Sequence, residues 1–360
     1  PTVMIPILSP HNKKETRRFD LPSKKSFDVV CIGFTCVDEA ITGLDSQALF
    51  RQPLMPAKDV QFGVGGDAAN EATILARLGV NTQLITKLGG DFLGRMVLEH
   101  MQREGIDTQA ITVDPAINTT IGVSIIGNGD DRYIIPVGEN RSTAMLCESD
   151  IAENAFLGVK VVSFASLFTM PRIDVQAMPR IFYKVKSAGA LLCMDVKMEG
   201  HERLAEIAPA LADVDYIFPN FSEACLLTGE AEPEKVARRF LDCGVKTVVL
   251  KLGLPGCYVR SREEALWIPS YPADAVDSTG AGDNFAAGFI TGLIKGLSTM
   301  ECAKYACAAA SICVRQVGSV SAIQNLPQLE QVIAQGEPDW ANRASQVSLS
   351  WKAPDLTDLR

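Results

Sequence analysis

Asp277-Ser278-Thr279-Gly280-Ala281-Gly282-Asp283-Asn284-Phe285 is the stretch from which the rest of this 360-residue chain can be read. It runs straight into a helical pattern, Phe285 to Lys295, crowded with small residues (Ala286, Ala287, Gly288, Gly292). Glycines ahead of a helix let its first amides turn toward an anion, and the helix dipole adds partial positive charge there. Such a turn suits a phosphoryl group, whose oxygens gather charge during transfer. Asp283, at the helix start, is placed to accept a hydroxyl proton. The same residues would also serve as a tight strand-to-helix turn with Asp283 as a cap.

Upstream of this turn, strand-like and helix-like stretches alternate. Apolar strand candidates are 27–34, 82–88, 159–165, 190–196, 214–219 and 246–252, with helical patterns at 67–78, 91–104, 171–188, 201–212 and 232–243. Gly79, Gly105, Gly189 and Gly244 follow four of the helices as C-caps. This alternation predicts an α/β fold with a mainly parallel sheet covered on both faces. Residues 39–64 and 119–138 break the rhythm, being strand-like with no helix between strands. Thr120 to Ile126 and Arg132 to Val137 flank Gly127-Asn128-Gly129-Asp130, a hairpin turn signal. Both stretches read as a small separate sheet over the core. Residues 1–26 form a polar, basic arm, 27–335 the folded domain and 336–360 a polar tail containing Trp340 and Trp351.

Composition narrows the function classes. The net charge of -9 gives no attraction to a phosphate backbone, so nucleic acid is not an expected partner. Ten cysteines, none in a CxxC pair, sit mostly in apolar runs and read as reduced, buried thiols of a cytoplasmic chain. The three histidines have no metal-ligand spacing to a cysteine, which argues against zinc. Val3 to Leu8 is too short for a secretory signal and precedes, rather than follows, the basic cluster at 13–18. No apolar run is long enough to span a bilayer.

A second glycine-rich segment, Gly63-Val64-Gly65-Gly66-Asp67-Ala68-Ala69-Asn70-Glu71-Ala72, also leads into a helix. Its glycines let a ligand approach the backbone, and Asn70 offers a donor and an acceptor to a polyol. A loop leading into a closely packed helix would look the same. Together the two segments resemble the two signatures of the PfkB (ribokinase-like) carbohydrate kinases: Gly-Gly-x-x-x-Asn, then Gly-Ala-Gly-Asp, in that order and about two hundred residues apart. The resemblance covers roughly residues 27–330 and is closest to the uncharacterised bacterial sugar kinases of that family.

The resemblance implies a ribokinase-like three-layer sandwich with a mostly parallel central sheet and a small β-sheet lid. It implies ATP-dependent phosphorylation of a hydroxyl on a sugar or sugar acid, with Mg²⁺. Asp283 would be the general base, and Gly280, Ala281 and Gly282 the anion hole. Asp38, Gly65, Gly66 and Asn70 would bind the substrate. Asn220, Lys251, Gly253 and Gly256 would meet the nucleotide, and Glu223 would organise Mg²⁺ through water. Read on their own, Asn220 and Glu223 also fit a helix cap with a capping-box glutamate, and Lys251 fits a solvated lysine. Many relatives bind K⁺ beside the anion hole, through a loop matching Asp277 and Thr279 and a segment matching Cys313 to Ser321. Ribokinase-like kinases often dimerise by crossing their lids, so a homodimer is expected.

Some positions depart from the family pattern. Asn284 stands where a small hydroxyl residue is frequent, Val196-Lys197 follows Asp195 in place of Pro-Asn, and Cys307 replaces a polar residue beside the adenine. A nucleoside kinase would need lid aromatics, of which there are Phe50, Phe62 and Tyr133. A sugar-phosphate kinase would need extra cations, for which Arg51, Lys58 and Arg132 are lid candidates. A non-catalytic sugar-binding regulator is disfavoured by the intact Asp283 and its glycines.

Overall fold

Val29 to Ile32 are wholly buried, as an apolar run with no polar face requires. They form β3 (Val29–Gly33), near one edge of an eight-stranded sheet. The computed structural model describes residues 26–44, 51, 56–126, 132–137, 141–197 and 204–336, together with 3–4, 18–19, 343, 345 and 346. The expected turn at 127–130, Phe50, and nearly all of the arm and tail lie outside the described residues. Within the arm, β1 (Val3–Met4) pairs with β2 (Arg18–Phe19).

The remaining strands of the large sheet are β6 (Thr82–Ile85), β11 (Val161–Leu167), β12 (Leu191–Val196), β13 (Tyr216–Ile217), β14 (Thr247–Lys251), β15 (Cys257–Arg260) and β16 (Ala265–Ile268). Their order is β16-β15-β14-β13-β12-β11-β3-β6. All neighbours from β6 to β14 are parallel, and β15 and β16 add an antiparallel hairpin. Alternate side chains enter opposite layers. Val29 and Cys31 pack with residues of α1 (Asp67–Arg77), α2 (Phe92–Arg103), α8 (Ala281–Ile294), α9 (Thr299–Cys313) and α10 (Leu326–Gly336). Val30 and Ile32 pack with α4 (Ala177–Ser187), α5 (Leu204–Leu211), α6 (Phe221–Thr228) and α7 (Pro233–Asp242). This is the three-layer α/β sandwich expected. The small residues of α8 let α9 approach closely: a methyl on Gly288 would lie 2.7 Å from the Tyr305 carbonyl.

The lid is a four-stranded sheet in the order β10-β9-β4-β5, from β4 (Cys36–Thr42), β5 (Asp59–Gly65), β9 (Ile121–Ile126) and β10 (Arg132–Val137). It begins at Cys36, three residues before the expected boundary. From β3 the chain moves outward to β6 and later returns to β11 on the other side, so the strand order reverses between β3 and β11. Open α/β sheets bind ligands beyond the carboxyl ends of strands at such a reversal, and the lid begins there.

Several expected boundaries shift for local reasons. The strand at 82–88 splits, and β7 (Lys87–Gly89) leaves the sheet to pair with β8 (Thr112–Asp114). Between the halves, Thr86 donates its hydroxyl to the Gly33 carbonyl at 2.8 Å. The helix expected from 171 starts at Ala177, because the Asp174 carboxylate accepts the amides of Gln176 at 3.0 Å and Ala177 at 2.8 Å. The strand at 214–219 shrinks to Tyr216–Ile217, since Pro219 lacks a donor for the ladder. The short α3 (Ser142–Met145) and the hairpin β15–β16 have no counterpart among the expected elements.

Candidate active site

Helix α8 starts at Ala281, four residues earlier than its apolar pattern, because Gly280 turns the chain as its N-cap at φ +73°. Any side chain there would also strike the 314–323 loop, its Cβ 2.4 Å from Ser319 Cβ. The Ala281 amide closes the turn onto the Ser278 carbonyl at 3.2 Å. Gly282 and Asp283 occupy the first helical turn, where backbone amides lack intrahelical carbonyl partners.

Asp283 is buried, 8% exposed, and Asn70 donates its side-chain amide to Oδ2 at 2.7 Å. The Ser319 hydroxyl donates in turn to Asn70 Oδ1 at 3.0 Å. The two glycine-rich segments, more than two hundred residues apart in sequence, therefore meet side chain to side chain. Burial, and next the negative charge of Asp67, push the Asp283 carboxyl well above the usual carboxylate range; the Asn70 hydrogen bond and the Lys251 charge work against them. Behind Asn70, Glu71 is fully buried and takes the Ser163 hydroxyl. Burial pushes its carboxyl well above the usual carboxylate range, with Asp195, Asp283 and Asp67 reinforcing the upward shift and the Ser163 hydrogen bond opposing it.

Lys251, at the end of β14, grips both oxygens of Asp195 at the end of β12, at 2.7 and 2.9 Å. Burial disfavours the ammonium, but the Asp195 carboxylate outweighs it, so Lys251 stays charged. That charge lies under the Gly280–Asp283 turn: a methyl on Gly282 would be 3.1 Å from Nζ. Asn220 caps α6, its Oδ1 accepting the Glu223 amide at 2.8 Å, and its backbone bridges to Lys251. The Glu223 charge is felt at Lys251. Gly253 and Gly256 make the turn between β14 and β15, closed by a 2.8 Å backbone hydrogen bond.

At the lid end, Asp38 stands on a sheet face cleared by glycines. Gly63 lies opposite it on β5 and Gly122 opposite on β9. Gly65 has no room for a side chain, since a Cβ there would lie 1.9 Å from Asp38 Oδ2. The Cys36 thiol donates to Asp38 Oδ1 at 3.3 Å. Gly66 packs under the Phe34 carbonyl, to which Ala68 donates at 3.1 Å. Asp277 binds the Thr279 amide and hydroxyl through Oδ1 at 2.9 and 2.5 Å, and the Gly318 amide through Oδ2 at 2.9 Å. Cys307 packs against Cys257, sulfur to sulfur 3.8 Å, within the core.

Gly122, Asp67 and Ser319 belong to this site but were not singled out from the sequence. Gly122 interrupts a mainly apolar strand, a pattern that marks close approach, and Asp67 lies within a motif already quoted. Ser319 lies in a segment with no readable period.

A mostly parallel sheet with a small β lid, and a glycine-rich turn that leads into a helix beside a buried carboxylate, is the construction of a ribokinase-like phosphotransferase. The matching family description is pfkB family carbohydrate kinase, over residues 26–326. The chain belongs to that family. An ATP-dependent 6-phosphofructokinase of Thermoanaerobacterium thermosaccharolyticum is 26% identical, covering 86% of this chain and 93% of its own length. A 5-dehydro-2-deoxygluconokinase of Geobacillus thermodenitrificans is 27% identical, covering 86% and 94%. Among solved structures, Arabidopsis thaliana ribokinase complexed with ribose and ATP superposes with a TM-score of 0.70 at 25% identity, covering 86% of this chain and 99% of that one.

Proposed function

We propose that this chain transfers the γ-phosphoryl group of ATP to a hydroxyl of a free sugar or sugar acid, with Asp283 accepting the hydroxyl proton. The observation that carries this reading is the 2.7 Å bond from Asn70 to Asp283, which sets the polyol-binding helix against the proton acceptor at the anion-receiving turn. Asp38 and Asn70 hold the acceptor from the lid side. The first-turn amides of α8 take the γ-phosphoryl oxygens, with the Lys251 charge beneath them. Asn220, Lys251, Gly253 and Gly256 line the nucleotide end.

Glu223 suits Mg²⁺ brought in with the nucleotide, because Mg²⁺ is held by one or two carboxylates plus substrate phosphates. Among the described residues no cluster of three candidate ligands forms a dedicated metal cage. Bound there, the ion would neutralise phosphate charge. The test is ADP release against a panel of sugars, sugar acids, sugar phosphates and nucleosides. Turnover with a neutral sugar or sugar acid supports the reading. Turnover confined to nucleosides or sugar phosphates, or none at all, overturns it.

The pH profile tests the role of Asp283. As a base it works only when deprotonated, and its carboxyl is raised above the ordinary value of about 4. Activity should therefore rise with pH along a limb displaced upward from that value. Asp67→Asn removes the neighbouring negative charge that, after burial, does most to raise the Asp283 carboxyl, so the limb of kcat/KM should move to lower pH. No movement, or movement upward, contradicts the assignment.

We place the enzyme in the cytoplasm, a setting that all ten cysteines, unpaired, are suited to. A homodimer through the lid is supported by its second face. On the strand register Asp38, Ala40 and Gln61 share one side, while Ile41, Val60, Phe62, Val123, Ile125 and Ile135 share the other, with Glu39 among them. Val60, Phe62 and Ile135 are 45%, 57% and 42% exposed. Apolar sheet faces of this kind are covered by partners. Phe62→Asp should turn the dimer into a monomer in light scattering, an anchor of this type contributing about 2 kcal/mol or more. A wild-type monomer at micromolar concentration refutes it.

A further inference from the structure

Three carbonyls surround the base of the anion-hole turn, those of Thr279, Gly280 and Ser319, and side chains of this chain already supply donors to all of them. The Asn284 side-chain amide donates to Gly280 O and to Ser319 O, each at 2.7 Å. The Cys313 thiol reaches Thr279 O at 3.3 Å and Ser319 O at 3.6 Å. Gly280 O also receives the Asn284 backbone amide at 2.9 Å. Asp277, the carboxylate expected to face a monovalent cation, spends Oδ1 on Thr279 and Oδ2 on the Gly318 amide. Asn284 and Cys313 are each 1% exposed.

This donor set does not suit a K⁺ ion. A cation needs several oxygens turned toward it, whereas here an N–H₂ group and an S–H group, with their positive ends, point at those same oxygens. Ser319 O and Gly280 O each receive two donors, the capacity of a carbonyl. Asn284 Oδ1 is buried without a protein donor, but a single oxygen does not make a cation site. Burial, with the charges of Asp283 and Asp277, pushes the Cys313 thiol up to about 12, so it remains a donor at neutral pH.

We propose that Asn284 and Cys313 are positioning residues that brace the anion-hole turn with protein hydrogen bonds, and that this kinase needs no monovalent cation. The inference rests on the reading of 280–283 as the anion hole. Asn284 links the first turn of α8 to the 314–323 loop, and Cys313 links that loop's leading helix to Thr279. Between them they fix the orientation of the Gly282 and Asp283 amides.

The test compares wild type in chloride salts of K⁺, Na⁺ and tetramethylammonium at equal ionic strength. Thermal midpoints should agree in all three, because a cation that binds only the folded state would raise the midpoint in its own salt. Turnover should agree within about two-fold. Asn284→Ala should lower kcat at least about ten-fold with little change in KM for ATP, as for an interaction felt at the transition state. Cys313→Ala should lower kcat, and Cys313→Ser, which keeps a donor, should restore it. A midpoint or turnover raised specifically by K⁺, or an Asn284→Ala enzyme with wild-type kcat, overturns the proposal. The thermal comparison needs no acceptor, so it is decided even if the acceptor panel fails.

Discussion

Asp283→Asn should lower kcat by about 10²–10⁴-fold, the range that general acid–base groups contribute, while ATP still binds. The exchange keeps the size of the side chain and an oxygen for the Asn70 amide, whose 2.7 Å bond fixes the base. What it removes is the carboxylate oxygen proposed to accept the proton. It also removes a buried negative charge from beside Asp67 and Asp195, so the folded protein should not be weakened. Calorimetric titration with MgATP separates lost turnover from lost binding. Near wild-type kcat would remove Asp283 from the chemistry.

Asp38→Ala should raise KM for the acceptor by about 10²-fold or more. Two hydrogen bonds to a carboxylate contribute about 1.5–3 kcal/mol each, and every 1.4 kcal/mol is about tenfold in affinity. ATP affinity should hardly change, because Asp38 stands on the lid rather than at the ends of β13 and β14. Gly65→Ala should act in the same direction, because its methyl would displace the Asp38 carboxylate from 1.9 Å away. Loss of ATP affinity with acceptor affinity retained would reverse the two ends of the cleft.

The sandwich was legible because its cues are local and repeated: apolar runs that bury both faces of a strand, amphipathic helices, and the glycines after them. Gly79, Gly105, Gly189 and Gly244 all take the positive φ of helix caps. The lid was legible from alternation without helices, although its start at Cys36 was hidden by the continuity of the run from β3. Boundaries set by one side chain were not legible. Asp174 and Thr86 each redirect the backbone through a hydrogen bond that propensity does not encode. In the site, the glycines ahead of each helix pointed to Asp283 and Asn70, whereas Asp38, with no glycine near it in sequence, was placed only by the family resemblance. The partnership of Lys251 with Asp195 was hidden, since it joins the ends of two strands distant in sequence. So was the bracing by Asn284 and Cys313, which depends on how the 314–323 loop folds back over the turn.

The most direct measurement is a single-turnover rapid quench. Wild type and Asp283→Asn, each in excess over labelled MgATP and preloaded with it, are mixed with the acceptor found in the panel, across a range of pH. Wild type should form the phosphorylated acceptor in a fast phase whose rate rises with pH along the displaced Asp283 limb. The variant should bind both substrates yet transfer at least about 10²-fold more slowly, with that limb gone. Equal transfer rates with the same pH dependence would contradict the assignment of Asp283 as the base.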